Sequence, residues 1–143
     1  MRIIKAQNFE SDPRTAPQVP LFGSTVAAGF PSPADDWLEG ELDLVRFLIK
    51  HPAATFYVRV SGDSMTGASI HQGDILIVDR ACKPLSNDIV IASINGELTV
   101  KRLVIRGDKI LLMPENQNYK PIEITEDMGF ETWGKVLHVI HSV

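Results

Sequence analysis

The chain has 143 residues, 44% hydrophobic and 22% charged, which suits a single globular domain with enough length to bury a real core. Its net charge of −4, with no cluster of Lys and Arg, argues against direct tight DNA binding, which depends on phosphate neutralisation. The first residues lack the apolar run of a signal peptide, no window is apolar enough to span a bilayer, and the single Cys82 cannot form an internal disulfide, so a cytoplasmic location without a membrane partner is expected.

Residues 1–31 read as a flexible N-terminal arm, because Pro13, Pro17, Pro20 and Pro31 interrupt any regular element and apolar residues are sparse before Leu21-Phe22. Inside this arm lies Ala27-Ala28-Gly29-Phe30, a run of small residues whose backbone can approach another surface closely. Residues 32–143 read as the folded domain. Ser32 as N-cap and Pro33 at the first helical position start a helix, and Leu38, Leu42, Val45 and Ile49 fall on one of its faces. Gly40 weakens its middle and Asp43 can cap a second helix, so one or two short helices are expected before His51-Pro52 ends the segment.

Beyond that point the pattern turns to β. Residues 55–60, 74–78, 89–94, 98–105, 109–113 and 132–140 are short runs rich in Val, Ile and Leu. Asn95-Gly96 is a two-residue hairpin signal, while Gln72-Gly73-Asp74 and Arg106-Gly107-Asp108 read as turns. A mostly β fold follows, a sandwich or a partly open barrel.

Three features carry chemistry. Ser61-Gly62-Asp63-Ser64-Met65 follows a strand directly, and a serine on a tight turn with backbone N–H groups nearby has the geometry of an acyl-transfer nucleophile. A plain turn or capping serine gives the same five residues. Lys101 lies within a strand whose alternation puts it on one face with Thr99, Leu103 and Ile105; burial of that face would favour a neutral amine, whereas exposure would leave an ordinary strand lysine. Ala27-Ala28-Gly29 is the third, and alone it is only a flexible stretch. His138 and His141 point to opposite faces of a strand, and His51 and His71 complete no ligand set, so neither a metal nor another cofactor is expected. Nothing near Cys82 in sequence suggests an activated thiol.

Together these segments resemble the LexA/UmuD-type self-cleaving serine peptidases. Ala28-Gly29-Phe30-Pro31-Ser32-Pro33 is similar to the family's cleavage region, and Ser61-Gly62-Asp63-Ser64-Met65 to its nucleophile segment. Gly73-Asp74-Ile75-Leu76-Ile77-Val78-Asp79 is similar to the strand that follows it. Asp88-Ile89-Val90-Ile91-Ala92 and Leu98-Thr99-Val100-Lys101-Arg102-Leu103 are similar to the strands around its lysine. The nucleophile-to-lysine separation, 101 − 64 = 37 positions, is the one the resemblance requires. Where the best-known UmuD type has Cys before the scissile Gly, this chain has Ala28. The resemblance begins near Leu21, and nothing is carried onto the residues before it.

The resemblance implies a LexA/UmuD-like C-terminal peptidase fold of short strands with a catalytic dyad of Ser64 and Lys101. It implies a scissile bond at Ala28-Gly29 and an oxyanion held by the backbone at Asp63 and Ser64. It further implies a bacterial protein of the SOS response, working as a homodimer. Its cleavage is stimulated by a RecA filament on single-stranded DNA, and the shortened product joins a UmuC-like DNA polymerase subunit for error-prone translesion synthesis. Two other readings stand beside it: a non-catalytic β interaction module, and the peptidase half of a LexA- or phage-type repressor. The repressor would need a DNA-binding module, and only about thirty residues precede the match, fewer than the roughly forty at which a domain usually folds unaided.

Overall fold

A computed structural model describes residues 2–4, 19–22, 25–29 and 38–143. Two units are distinguished within the chain, Met1–Asn8 with His51–Val143, and Phe9–Lys50. The boundary expected between residues 31 and 32 lies outside the described residues.

In the smaller unit, β2 (Val19–Phe22) pairs antiparallel with β3 (Leu38–Leu42), and the register shifts between Leu21 and Phe22. Helix α1 (Leu44–Leu48) follows at once. The helical periodicity expected through Leu38 and Leu42 is therefore not realised. Gly40 has φ +142°, a conformation no helix contains and one that L side chains rarely adopt, so the chain is extended up to Asp43. Asp43 then caps α1, its side chain accepting the Arg46 N–H at 3.2 Å, as its position in the sequence suggests. Pro20 is tolerated within β2 because a two-stranded sheet is all edge. Ala28 and Gly29 lie in an exposed bend. The expected helix start at Ser32-Pro33 lies outside the described residues.

The larger unit is one antiparallel sheet. Its strands are β1 (Arg2–Ile4), β4 (Thr55–Arg59), β5 (Ile75–Asp79), β6 (Ile89–Ile94), β7 (Glu97–Arg106), β8 (Lys109–Met113), β9 (Ile122–Glu123) and β10 (Glu131–Ile140). Their order across the sheet is β1-β4-β5-β10-β6-β7-β8-β9. The mostly β architecture expected from the sequence is the one found. Strands β1 and β2 fall within the first 31 residues, where the proline spacing predicts no regular element. Among the described residues no helix is long and apolar enough to cross a membrane.

Alternation along each strand builds two apolar layers. Ile91 and Val100, paired across β6 and β7, join Phe56, Val58, Met65, Leu76 and Val78. Val90 and Ala92, which flank Ile91 on β6, join Leu103 and Leu112 on the other face. Lys101 is paired with Val90, so the register turns its side chain toward the second layer. The Asn95-Gly96 turn closes the β6–β7 hairpin with φ of +51° and +82°, the two positive values a type I′ turn needs. Strand β10 is irregular against both neighbours, with register shifts at Thr132/Gly134 and Val136/His138.

Candidate active site

The turn carrying Ser64 is set by the end of β4. Val60 is buried and its N–H donates to the Asp74 carbonyl, after which Gly62 at φ +87° lets the chain reverse. Met65, 1% exposed, anchors the turn from beneath, so its flanking residue Ser64 is held at the surface of the core. A second segment straps the turn from the other side. The Glu115 N–H donates to the Ser64 carbonyl at 2.8 Å, and the Gly67 N–H donates to the Glu115 carbonyl at 2.7 Å. Asn116 Nδ2 donates to the Asp63 carbonyl at 2.8 Å, and the Tyr119 hydroxyl donates to Asp63 Oδ1 at 2.5 Å. That carboxylate holds the Tyr119 phenol pKa above its ordinary value.

Strand β7 delivers Lys101 to this turn. Its Nζ lies 2.9 Å from Ser64 Oγ, 2.9 Å from Thr99 Oγ1 and 3.0 Å from the Val100 carbonyl. Lys101 is only 9% exposed, and burial lowers its pKa from the ordinary lysine value. All three partners are neutral oxygens, so none of them offers the countercharge that would restore the ammonium.

The contact set also fits a neutral amine. Such an amine has two N–H donors and one lone pair, and the Val100 carbonyl can only accept. The lone pair must therefore face a hydroxyl, and Ser64 can supply the O–H with Thr99 taking the second N–H. A hydroxyl donating to a desolvated amine is the starting arrangement for a nucleophile and its general base.

Beside the pair lies a cleft of about 180 Å³, lined in part by Gly62, Asp63, Ser64, Leu98 and Tyr119. Leu98, Thr99, Lys101 and Tyr119 also border a larger hollow of about 600 Å³ that extends past Ile94, Glu97 and Ile122. Asp63 and Ser64, whose backbone is expected to hold an oxyanion, are both on the lip of the smaller cleft. Ala28 and Gly29 belong to the other unit.

Ser64 and Lys101 are legible in the sequence and meet in the fold, whereas their surroundings are not legible there. Thr99 is legible as a residue on the lysine's face, not as its hydrogen-bond partner. Glu115, Asn116 and Tyr119 carry no local signal for this site, since their contacts with Ser64 and Asp63 reach across more than 50 positions. One further cluster is equally invisible in sequence: His51, Asp79 and Cys82 have ligand atoms within 4.8 Å of one another. Burial, then the Asp79 carboxylate, raises the Cys82 thiol pKa, in keeping with a thiol that is not an activated nucleophile.

With this geometry in view, the chain matches the family described as Peptidase S24-like over residues 20–137. It is 48% identical over 126 residues to Protein ImpA of Salmonella typhimurium, covering 85% of this chain and 83% of that protein. To Protein MucA of Escherichia coli it is 40% identical over 137 residues, covering 94% and 93%. To LexA repressor 1 of Geobacter sulfurreducens it is 39% identical over 115 residues, covering 80% of this chain but 56% of the repressor.

Proposed function

The chain belongs to the Peptidase S24-like family, and from that premise we propose that it is a Ser–Lys endopeptidase that cuts its own backbone once, between Ala28 and Gly29. The observation that carries this reading is the 2.9 Å hydrogen bond between Lys101 Nζ and Ser64 Oγ at a lysine 9% exposed.

Neutral Lys101 accepts the Ser64 proton as Oγ attacks the Ala28 carbonyl carbon. The negative charge that develops on the carbonyl oxygen is held by backbone N–H groups at Asp63 and Ser64. As the tetrahedral adduct collapses, the Lys101 ammonium returns its proton to the Gly29 amine, which leaves as a new N-terminus. Water, deprotonated by the same amine, then hydrolyses the Ser64 ester and frees the Ala28 carboxylate. Thr99 and the Val100 carbonyl orient the amine through this cycle.

The cut is stimulated by a RecA filament on single-stranded DNA, which acts by favouring the conformer with Ala28-Gly29 docked against Ser64. The product dimerises and serves a UmuC-like polymerase subunit in error-prone synthesis past lesions, as the accessory subunit of a translesion polymerase. The resemblance supports this role, and the identity to ImpA and MucA over most of their lengths supports the family on which it rests. The acidic balance of the chain, net −4, fits a role reached through protein partners and not through direct DNA binding.

Intact mass after incubation with activated RecA filament is the test. The expected large fragment begins Gly29-Phe30-Pro31, and neither Ser64→Ala nor Lys101→Ala yields it. A fragment starting elsewhere removes the assignment of the scissile bond. Undiminished cleavage in either variant removes the dyad. No cleavage in the parent chain under any of these conditions favours the non-catalytic interaction module.

A further inference from the structure

We propose that His51, Asp79 and Cys82 form a binding site for a divalent transition-metal cation of the zinc class, separate from Ser64 and Lys101. The three side chains offer one nitrogen, one oxygen and one sulfur donor, and the donor atoms lie within 4.8 Å of one another. Zinc takes this mixture of ligands at about 2.0–2.3 Å, so small rotamer adjustments of His51 and Cys82 bring all three onto one ion.

The scaffold beneath the cluster is fixed. Asp79 is the last residue of β5, opposite Thr55 of β4 and Lys135 of β10, and it is fully buried. Its Oδ1 accepts the Ala81 N–H at 2.8 Å, which leaves Oδ2 directed at His51 Nδ1, 2.6 Å away. The His51 carbonyl is held by the Thr55 hydroxyl at 2.7 Å and the Ala54 N–H at 2.9 Å. Cys82 follows Asp79 by three positions across a turn, the same two-residue gap that brings paired ligands together in zinc knuckles.

Charge points the same way. The Asp79 carboxylate is fully buried, and a dication bound at its Oδ2 would offset that charge. The ion would take the place of the Cys82 thiol proton, which is released, while His51 binds through Nδ1 as a neutral imidazole with its ring proton on Nε2. One carboxylate, one thiolate and a neutral imidazole then balance the ion. Lys135, whose charge also reaches Cys82, is paired with Asp88 at 3.4 Å. The His51 side chain is 51% exposed, so the fourth coordination position opens to water.

From the sequence His51 completes no ligand set and no metal is expected; its partner Asp79 stands 28 positions away. The cluster is at the opposite end of β4 from the Ser64 turn, and its test is independent of peptidase activity. Cobalt(II) added to the reduced full-length chain should give a thiolate-to-cobalt charge-transfer band that saturates at one equivalent and is bleached by one equivalent of zinc. Cys82→Ser should abolish the band, and His51→Ala should weaken cobalt affinity by about tenfold or more. His141→Ala, at the distant ion pair with Asp74, should leave it unchanged. Absence of the band at saturating cobalt would overturn the proposal. So would a band indifferent to His51→Ala, which would mean a bare thiol, or one lost with His141→Ala.

Discussion

Lys101 sits where an ammonium has neutral oxygens for partners and little water, so its protonation state is set by burial. In the unfolded chain it titrates at the ordinary lysine value; in the fold it titrates lower. Between those two values the unfolded chain holds the extra proton, so stability rises with pH through that window and is at its lower level below it. Lys101→Met, which removes the buried ammonium, should therefore raise stability near neutral pH by about 1.4 kcal/mol for each unit of pKa lowering, measured by urea unfolding. Reactivity follows the same titration. Self-cleavage without a filament should quicken by about tenfold per pH unit below the folded pKa and level off above it, earlier than a solvated lysine would allow. Lys101→Arg should be inactive throughout, since a guanidinium keeps its proton. Cleavage independent of pH across this range would assign the base to another group. At this scale the sequence is informative where a pattern is local: alternation puts Lys101 with Thr99, Leu103 and Ile105, of which Leu103 is buried while Ile105, toward the end of β7, is exposed. It is silent on Tyr119 and Asn116, because their contacts with Asp63 are made across more than fifty positions.

The elements were legible in proportion to how much their own residues decide. The run at residues 89–94 is β6 and that at 109–113 is β8, and the others match within a residue or two, because β-branched runs bounded by Gly-containing turns have few alternatives. Leu38–Leu42 misleads because a 4-3-4 apolar spacing fits a helix, while pairing with β2 and the φ of Gly40 decide for a strand. Strand β9 has two residues and exists only through its pairing with β8, so no local pattern could announce it. Gly134 shows another long-range constraint. A Cβ there would stand 2.8 Å from Val78 Cγ1 and 2.9 Å from the Asp79 carbonyl oxygen, so β10 can lie against β5 only with glycine at this point. Gly134→Ala should therefore destabilise the fold by about 1–3 kcal/mol, read from the urea midpoint at unchanged slope. A neutral substitution would mean that β10 moves away from β5 at no cost. The same shift would be expected to disturb Asp79 and the cobalt band along with it.

At the scale of the molecule, residues far apart in sequence meet because one sheet gathers both ends of the chain. Ser64 follows β4 and Lys101 lies in β7, with β5, β10 and β6 between these strands, and the turn at residues 61–64 reaches across to the lysine. No periodicity in the sequence contains that order. The same topology places β1 on the outer edge of β4, with Arg2 opposite Arg59, Ile3 opposite Val58 and Ile4 opposite Tyr57. If the chain is cut after Ala28, as proposed, β1 loses its covalent tie to the sheet it completes. While tethered, its pairing is intramolecular and benefits from a high effective concentration. Once cut, a three-residue strand has too few backbone bonds to stay paired on its own. Cleavage should therefore release residues 1–28 and uncover the β4 edge, a row of backbone groups open to pairing with another strand. Hydrogen exchange followed by mass spectrometry should show the amides of residues 57–59 losing protection after cutting. The Ser64→Ala chain, treated identically, should keep it. If residues 1–28 instead co-purify with the large fragment and protection at β4 is unchanged, β1 is held by more than its connection to the chain, and cutting does not open this edge.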